Sequence, residues 1–349
     1  MKVIDKIKSP FSSSDDDTGV VFSFEFFTPK VPTSSTAYSR ERIAGSFLAK
    51  VAWMAAHGAA FCDITWRPRD GDNTVDLAGR MQTEVGVDTM MHLTCLSMPL
   101  ARIDAALDTA RSRGVRNILA LRGDPVDGDG AGDGEGGPTC ALDLVAHIRS
   151  RHGDYFGIAV AGYPEAHPSK IPDGSEVATE EGYESDLTYL KRKVDAGADL
   201  IITQLFFDTA VFIKFVSDCR RIGIECPIVP GILPISSYRS FSRMTDMCKT
   251  RVPREVREAV EERKGDEAAL VAYGVELAAN MCGEILGHGV RALHFYTMNR
   301  EEPAVAVLRK LGLVGHGENG VAVMRMRSLG NGNAEKGGEE RKKANGFVL

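Results

Sequence analysis

The chain has 349 residues, 43% of them hydrophobic and 26% charged, with a net charge of −6. That is the composition of a soluble globular protein, and the scattered positive residues exclude the basic footprint of a nucleic-acid binder. No apolar run reads as approaching the ~18 residues of a membrane span, and the N-terminus lacks the apolar core of a secretory signal.

In chain order, residues 1–19 read as an N-terminal extension without an element of their own. Short apolar runs then alternate with amphipathic stretches. The candidate strands are Val20–Phe27, Ala60–Thr65, Thr89–Cys95, Asn117–Leu121, Gly157–Gly162, Leu200–Leu205, Ile228–Ile232 and Ala292–Tyr296. The candidate helices are Ser39–His57, Asp72–Glu84, Leu100–Arg113, Ala141–Arg151, Asp186–Ala196, Thr209–Ile222, a long stretch over Ser236–Gly287, and Glu301–Leu311. The helix at Asp186 shows the signals: Ser185 as cap, Leu187, Leu190 and Val194 on one face, and Gly197 where a C-terminal cap belongs.

Two segments stand apart. Val126–Pro138 is a Gly/Asp-rich loop whose acids do not match a calcium-binding pattern, so it reads as a surface insert. Residues 328–349 are polar and Gly-rich and read as a disordered tail or linker, placing the end of the folded domain at Arg327. The seven cysteines form no C-x-x-C pair. They indicate no metal site and suit reduced thiols, mostly core fillers, in a cytoplasmic protein.

Strands alternating with helices imply parallel strands joined by right-handed crossovers. Eight such units predict a closed α/β fold, the (β/α)8 TIM barrel. The rival is a doubly wound open sheet, but that fold usually carries a Gly-rich turn after its first strand, and here FEFFTPK follows. Within the first strand, Phe22, Phe24 and Phe26 share one face, suited to the helical shell. Val21, Ser23, Glu25 and Phe27 share the other, which aims Glu25 into the barrel near its upper rim.

A barrel of this kind builds its active site at the carboxyl ends of its strands. Those ends supply Glu25, Asp63 and Thr65, His92 and Thr94, Arg122 and Asp124, Tyr163 and His167, Gln204, and finally Asn299 and Arg300. Singly, each has a structural reading: His92 as a core histidine, Arg122 and Asp124 as an ion pair, Glu25 as an acid paired with an arginine. Converging on one face, they predict a polar pocket with acid, base and anion-binding groups.

The stretches SFEFFTPK, HLTC, NILALRGDP, VAGYPEAHP, DLTYLKRKVDAGADLIITQLFFD, CPIVPGILPI and LHFYTMNRE carry a further signal. Together, from about Val20 to Leu313, they resemble methylenetetrahydrofolate reductase, and the insert after RGDP resembles the eukaryotic catalytic domain. The resemblance implies a flavoprotein that holds FAD and reduces 5,10-methylenetetrahydrofolate to 5-methyltetrahydrofolate with NADPH or NADH, the nicotinamide leaving before the folate enters. It implies Glu25 as general acid and Asp124 as the aspartate beside flavin and folate. It also implies FAD contacts at Thr65, His92, Arg122, Gly123, Tyr163, His167, Asp186, Arg192 and Lys193. Gln204 would contact the pterin, Arg300 would lie near the folate tail, and a residue of Tyr238–Met244 would stack on the folate.

Two positions depart from the family pattern. Thr28 stands where the family usually has the first of two prolines, and Tyr189 where some bacterial members place an asparagine. The resemblance further implies a regulatory domain that binds S-adenosylmethionine, which is expected to be absent from this chain. A homo-oligomer and a monomer both fit, since bacterial members assemble through barrel surfaces and eukaryotic ones mainly through that second domain. Two other functions fit less well: a flavin barrel that oxidises another amine, such as proline dehydrogenase, and a flavin-binding paralogue with a regulatory role.

Overall fold

The protein is represented by a computed structural model that describes residues 1–8, 19–32, 34–67, 70–124 and 137–315. Most of the Gly/Asp-rich insert, the domain end placed at Arg327 and the tail lie outside the described residues.

Eight strands form a closed parallel barrel in sequence order. They are β1 (Val21–Phe26), β2 (Phe61–Ile64), β3 (Thr89–Thr94), β4 (Asn117–Leu121), β5 (Gly157–Gly162), β6 (Leu200–Leu205), β7 (Ile228–Ile232) and β8 (Ala292–Tyr296). The barrel closes where β1 pairs with β8, with Ser23 opposite His294 and Glu25 opposite Tyr296. On β1 the two faces divide as the alternation predicts. Phe22, Phe24 and Phe26 join the core between barrel and helices, and the Phe26 ring meets Phe47 edge-on at 5.9 Å. Val21 points inward, into a cluster with Phe61, Met90, Leu119, Leu200 and Val229.

The outer helices are α2 (Ala37–Ala55), α3 (Gly71–Arg80), α4 (Leu100–Ser112), α5 (Ala141–His152), α6 (Glu180–Asp195), α7 (Thr209–Arg221), α8 (Tyr238–Cys248), α9 (Arg254–Glu262), α10 (Glu267–Gly287) and α11 (Glu301–Lys310). The long stretch expected over Ser236–Gly287 is therefore three helices. A left-handed Lys249 at φ 47° ends the first of them, and Asp266 caps the third by accepting the Ala269 N–H. A second correction concerns α6. It starts six residues before Asp186, capped by Thr179 through the Gly182 N–H rather than by Ser185. Asp186 therefore lies inside the helix, two turns from Lys193.

Within the expected extension, residues 3–8 form an element. Before β1, a helix α1 (Val3–Lys8) lies under the amino ends of the strands, with Val3 and Ile4 buried in the inner cluster that contains Val21 and Phe61. The Val3 N–H donates to Asn117 Oδ1 at 2.7 Å, and Lys6 pairs with Asp88 at 2.8 Å. Six residues are too few to show helical periodicity, so the sequence carried no signal for this plug.

The reading that no stretch approaches a membrane span also needs correction. Helix α10 is long and apolar enough by length and composition, with a mean hydropathy of 1.3. Its apolar side chains have another destination: Val275, Ala278, Met281, Cys282 and Ile285 join the core between barrel and helices.

Candidate active site

Glu25 sits at the carboxyl end of β1 with its side chain 12% exposed, 3.6 Å from His92 Nε2 and 3.6 Å from His294 Nε2. Its setting is not the apolar one the flanking phenylalanines suggest, because their alternation turns them away from it. Asp63, opposite Glu25 in the β1–β2 register, is wholly buried and lies 3.4 Å from the same His92 Nε2. Ser23, one inward position below Glu25, meets His294 Nδ1 at 2.8 Å. Two carboxyls, two imidazoles and a hydroxyl thus form one buried cluster on β1, β2, β3 and β8. Burial pushes the Asp63 carboxyl above its ordinary range, and the charges of His294 and His92 hold it back in part. Burial alone would push His92 down; its hydrogen bond to Asp63 and the charges of Glu25 and Asp63 outweigh that and raise it.

Just past Glu25, Thr28 performs a role that proline cannot. Its hydroxyl donates to the Thr65 carbonyl at 2.6 Å and its N–H donates to Thr65 Oγ1 at 3.3 Å. Proline lacks both groups. Thr28 is 3% exposed and also meets Thr74 of α3 at 3.2 Å, so it ties the loop after β1 to the loop after β2. From the other side, the Asn299 side chain accepts the Phe27 N–H at 2.8 Å and donates to the Phe27 carbonyl at 3.0 Å. The backbone beside Glu25 is held at both flanks.

The remaining cofactor candidates build one wall of the mouth from β4, β5 and α6. Gly123 follows β4 at φ +86°, where a Cβ would meet Thr94 at 2.8 Å, so the turn between exposed Arg122 and Asp124 requires glycine. The ring of Tyr163 lies edge-on to His167 at 4.9 Å. The His167 N–H donates to Asp186 at 3.2 Å, and His167 Nδ1 accepts the Ser169 N–H at 3.2 Å, which leaves the ring proton on Nε2. Lys193 is 4% exposed. Its Nζ donates to the Ala161 carbonyl at 2.7 Å and lies 5.2 Å from the centre of the Tyr189 ring. Burial brings this ammonium down to about 8, against the pull of Asp186. A cavity of about 380 Å³ opens between Lys170, Ser185, Asp186, Thr188, Tyr189 and Arg192. Tyr189 also accepts the Leu142 N–H at 3.4 Å, which stitches α6 to the start of α5.

Gln204 stands at the end of β6, where the pairing with β7 becomes irregular between Ile202 and Leu205. Opposite this irregularity, Gly231 admits no Cβ, which would lie 2.2 Å from the Thr203 carbonyl. Arg300 is the outlier: its guanidinium donates to the Ser236 carbonyl and to Glu267, both at 2.8 Å. In α8, Phe241 turns inward against Phe207 at 5.3 Å, and Tyr238 is 37% exposed, its hydroxyl donating to Glu261 at 2.9 Å. Sequence reasoning placed Asp63 among the strand-end groups and Ser23 on the inward face without giving either a role, and it did not reach His294. The signal was available, since period two from Ala292 places His294 inward, one position below Tyr296.

The fold and the site define a class: a (β/α)8 barrel with its titratable groups gathered at the carboxyl ends of the strands. The chain belongs to the methylenetetrahydrofolate reductase family, whose profile matches residues 11–312. It is 52% identical over 317 residues to methylenetetrahydrofolate reductase (NADH) 1 of Arabidopsis thaliana, covering 90% of this chain and 51% of that one. It is 38% identical over 306 residues to the probable methylenetetrahydrofolate reductase (NADPH) of Caenorhabditis elegans, covering 85% of this chain and 43% of that one. The chain thus spans about half the length of the curated relatives it matches. Among solved structures, an uncharacterized protein from Clostridium thermocellum that binds two copies of 5-methyl-5,6,7,8-tetrahydrofolic acid shares the fold. Its TM-score is 0.53 at 12% identity, over 82% of this chain and 93% of that one.

Proposed function

We propose that this chain reduces 5,10-methylenetetrahydrofolate to 5-methyltetrahydrofolate with electrons from NADH or NADPH, the two substrates taking turns at a bound FAD. The observation that carries the reading is Glu25, held in the barrel mouth beside two imidazoles in a chain of this family. Glu25 supplies the proton that lets the methylene bridge of the folate open. Asp124 places a negative charge beside the cationic form of the folate, and Gln204 positions the pterin.

The residues present fit FAD. Lys193 Nζ has three N–H donors and one hydrogen bond among the described residues, to Ala161, so a buried cation faces the wall with donors to offer an anion. Lys193 and Arg192 would hold the diphosphate. Thr65, His92, Arg122, Gly123, Tyr163, His167 and Asp186 would line the rest of the cofactor. When bound, FAD supplies the electron relay between nicotinamide and folate. Arg300 is held through one guanidinium nitrogen by the Ser236 carbonyl and by Glu267, and its further N–H donors would meet a folate carboxylate; the exposed pair with Glu267 is itself worth ~1 kcal/mol or less. The greater similarity to relatives named for NADH than to the one named for NADPH favours NADH as donor. Seven free thiols suit a reducing, cytoplasmic setting.

The test is anaerobic: the purified chain with FAD should be bleached by NADH and regain its colour on adding methylenetetrahydrofolate. A chain that takes up no FAD, or whose reduced flavin is not reoxidised by the folate, overturns the reading.

A further inference from the structure

Asn299 is a polar group of the barrel mouth that the proposed reaction leaves without a part. The β1–β8 ladder ends where Glu25 lies opposite Tyr296, and beyond that point β8 gives way to a turn. Side chains continue the seam. The Thr297 hydroxyl donates to the Glu25 carbonyl at 2.6 Å and accepts the Asn299 N–H at 3.1 Å. The Asn299 side-chain carbonyl accepts the Phe27 N–H at 2.8 Å, and its NH2 group donates to the Phe27 carbonyl at 3.0 Å. Lys50 Nζ in turn donates to the Asn299 backbone carbonyl at 2.7 Å and pairs with Glu301 at 3.0 Å.

A side-chain amide offers a carbonyl acceptor and N–H donors, so Asn299 gives Phe27 what a facing peptide of a neighbouring strand would give. Bringing it there requires a backbone that most L residues avoid. Met298 and Asn299 both have left-handed φ, 52° and 58°, which is unfavourable for residues other than glycine and least so for asparagine and aspartate. The surrounding contacts therefore impose this conformation, and positions of that kind concentrate at functional sites. On the other flank, the Thr65 N–H donates to the Phe26 carbonyl at 3.0 Å. The strand end that carries Glu25 is thereby fixed where a ladder alone would let it fray.

We propose that Asn299 is a positioning residue for Glu25: by clamping both backbone groups of Phe27, it fixes the strand end from which the Glu25 side chain reaches the folate. The inference rests on the reading of Glu25 as the acid of the folate half-reaction. Asn299 itself touches neither folate nor flavin. The clamp acts on the backbone, whatever charge the Glu25 carboxyl carries.

Asn299→Gly removes the clamp and keeps a residue suited to positive φ. In the purified chain with FAD, reoxidation of the reduced flavin at saturating methylenetetrahydrofolate should slow by about tenfold or more, within the ~100-fold that a 1 Å misplacement can cost. Flavin reduction by NADH, and the folate concentration that gives half the maximal rate, should each stay within about twofold, because the amide touches no substrate. The deciding measurement is the same substitution made in Glu25→Gln. With the acid gone its placement no longer matters, so Asn299→Gly should then slow reoxidation by less than about twofold further. A merely structural role repeats the full loss in that background, and this result overturns the proposal. So does Asn299→Gly at the unsubstituted rate. Amide hydrogen exchange resolved at Phe27 reads the clamp without turnover. The Phe27 N–H should exchange about tenfold faster or more in Asn299→Gly, and unchanged exchange overturns the proposal. Should Asn299→Gly fail to fold, Asn299→Asp makes the same comparison, since aspartate tolerates positive φ, keeps the acceptor for the Phe27 N–H and loses the donor. If the folate never reoxidises the flavin of the unsubstituted protein, or does so as fast in Glu25→Gln, the functional reading fails and the proposal with it. A slow Glu25→Gln beside an unaffected Asn299→Gly overturns the proposal alone.

Discussion

At the scale of single residues, the site depends on where burial and charge disagree. Lys193 is the clearest case, since its ammonium is held down at about 8 by burial. A bound diphosphate would restore the charge, so the complex carries a proton that the free protein gives up above that pH. The sign follows: affinity for FAD should fall as pH rises through about 8, by up to about tenfold per unit. Titration of the FAD-free protein with FAD at several pH values checks it, with proton uptake on the alkaline side read from buffers of different ionisation heat. An affinity that is flat or rises across that range would remove Lys193 from the diphosphate site. Thr28 makes the same point about local context. It stands where the family usually has a proline, which would fix the backbone directly, and here a buried hydroxyl fastens the loop to Thr65 instead. Nothing in the linear sequence announces that partner, because it lies 37 residues away.

At the scale of elements, the strands were the most legible part. Five of them run between the residues that the apolar runs delimit, and β1, β2 and β3 differ by one residue at one or both ends. Buried parallel strands are written as compact apolar runs, which is why they read so directly. Helix starts were less legible where capping signals compete: Thr179 and Ser185 both precede acceptable helical stretches, and the helix starts after the former, which accepts the Gly182 N–H. Helix α1 left no periodic trace, yet it closes the amino end of the barrel with Val3 and Ile4. Ile4 is 6% exposed, so Ile4→Ala should cost ~2 kcal/mol or more of stability, seen as a lower melting temperature. Both half-reactions should keep their rates below that temperature, because the plug lies at the end of the barrel opposite Glu25. A variant that melts normally would show that α1 merely rests on the barrel, and a selective loss of folate turnover would couple the plug to the site.

At the scale of the whole molecule, the barrel organises the chemistry by topology alone. Groups far apart in the chain, from Ser23 to His294, meet because β1 pairs with β8 to close the sheet. The strand-end rule made Glu25, His92 and Arg122 legible, but not the cluster, because which inward side chains touch depends on the closing register. That closure places Glu25 above Ser23, beside His294, and across from Asp63 and His92, and it leaves the flavin candidates on the adjoining wall. The central claim is that one side chain, Glu25, separates the two halves of the reaction. The most direct measurement follows the flavin absorbance anaerobically in Glu25→Gln, first with NADH and then, after reduction, with methylenetetrahydrofolate. The account expects flavin reduction within a fewfold of the unsubstituted protein and reoxidation by the folate slowed by ~100-fold or more, the usual range for loss of a general acid. Reoxidation at the unsubstituted rate would contradict it.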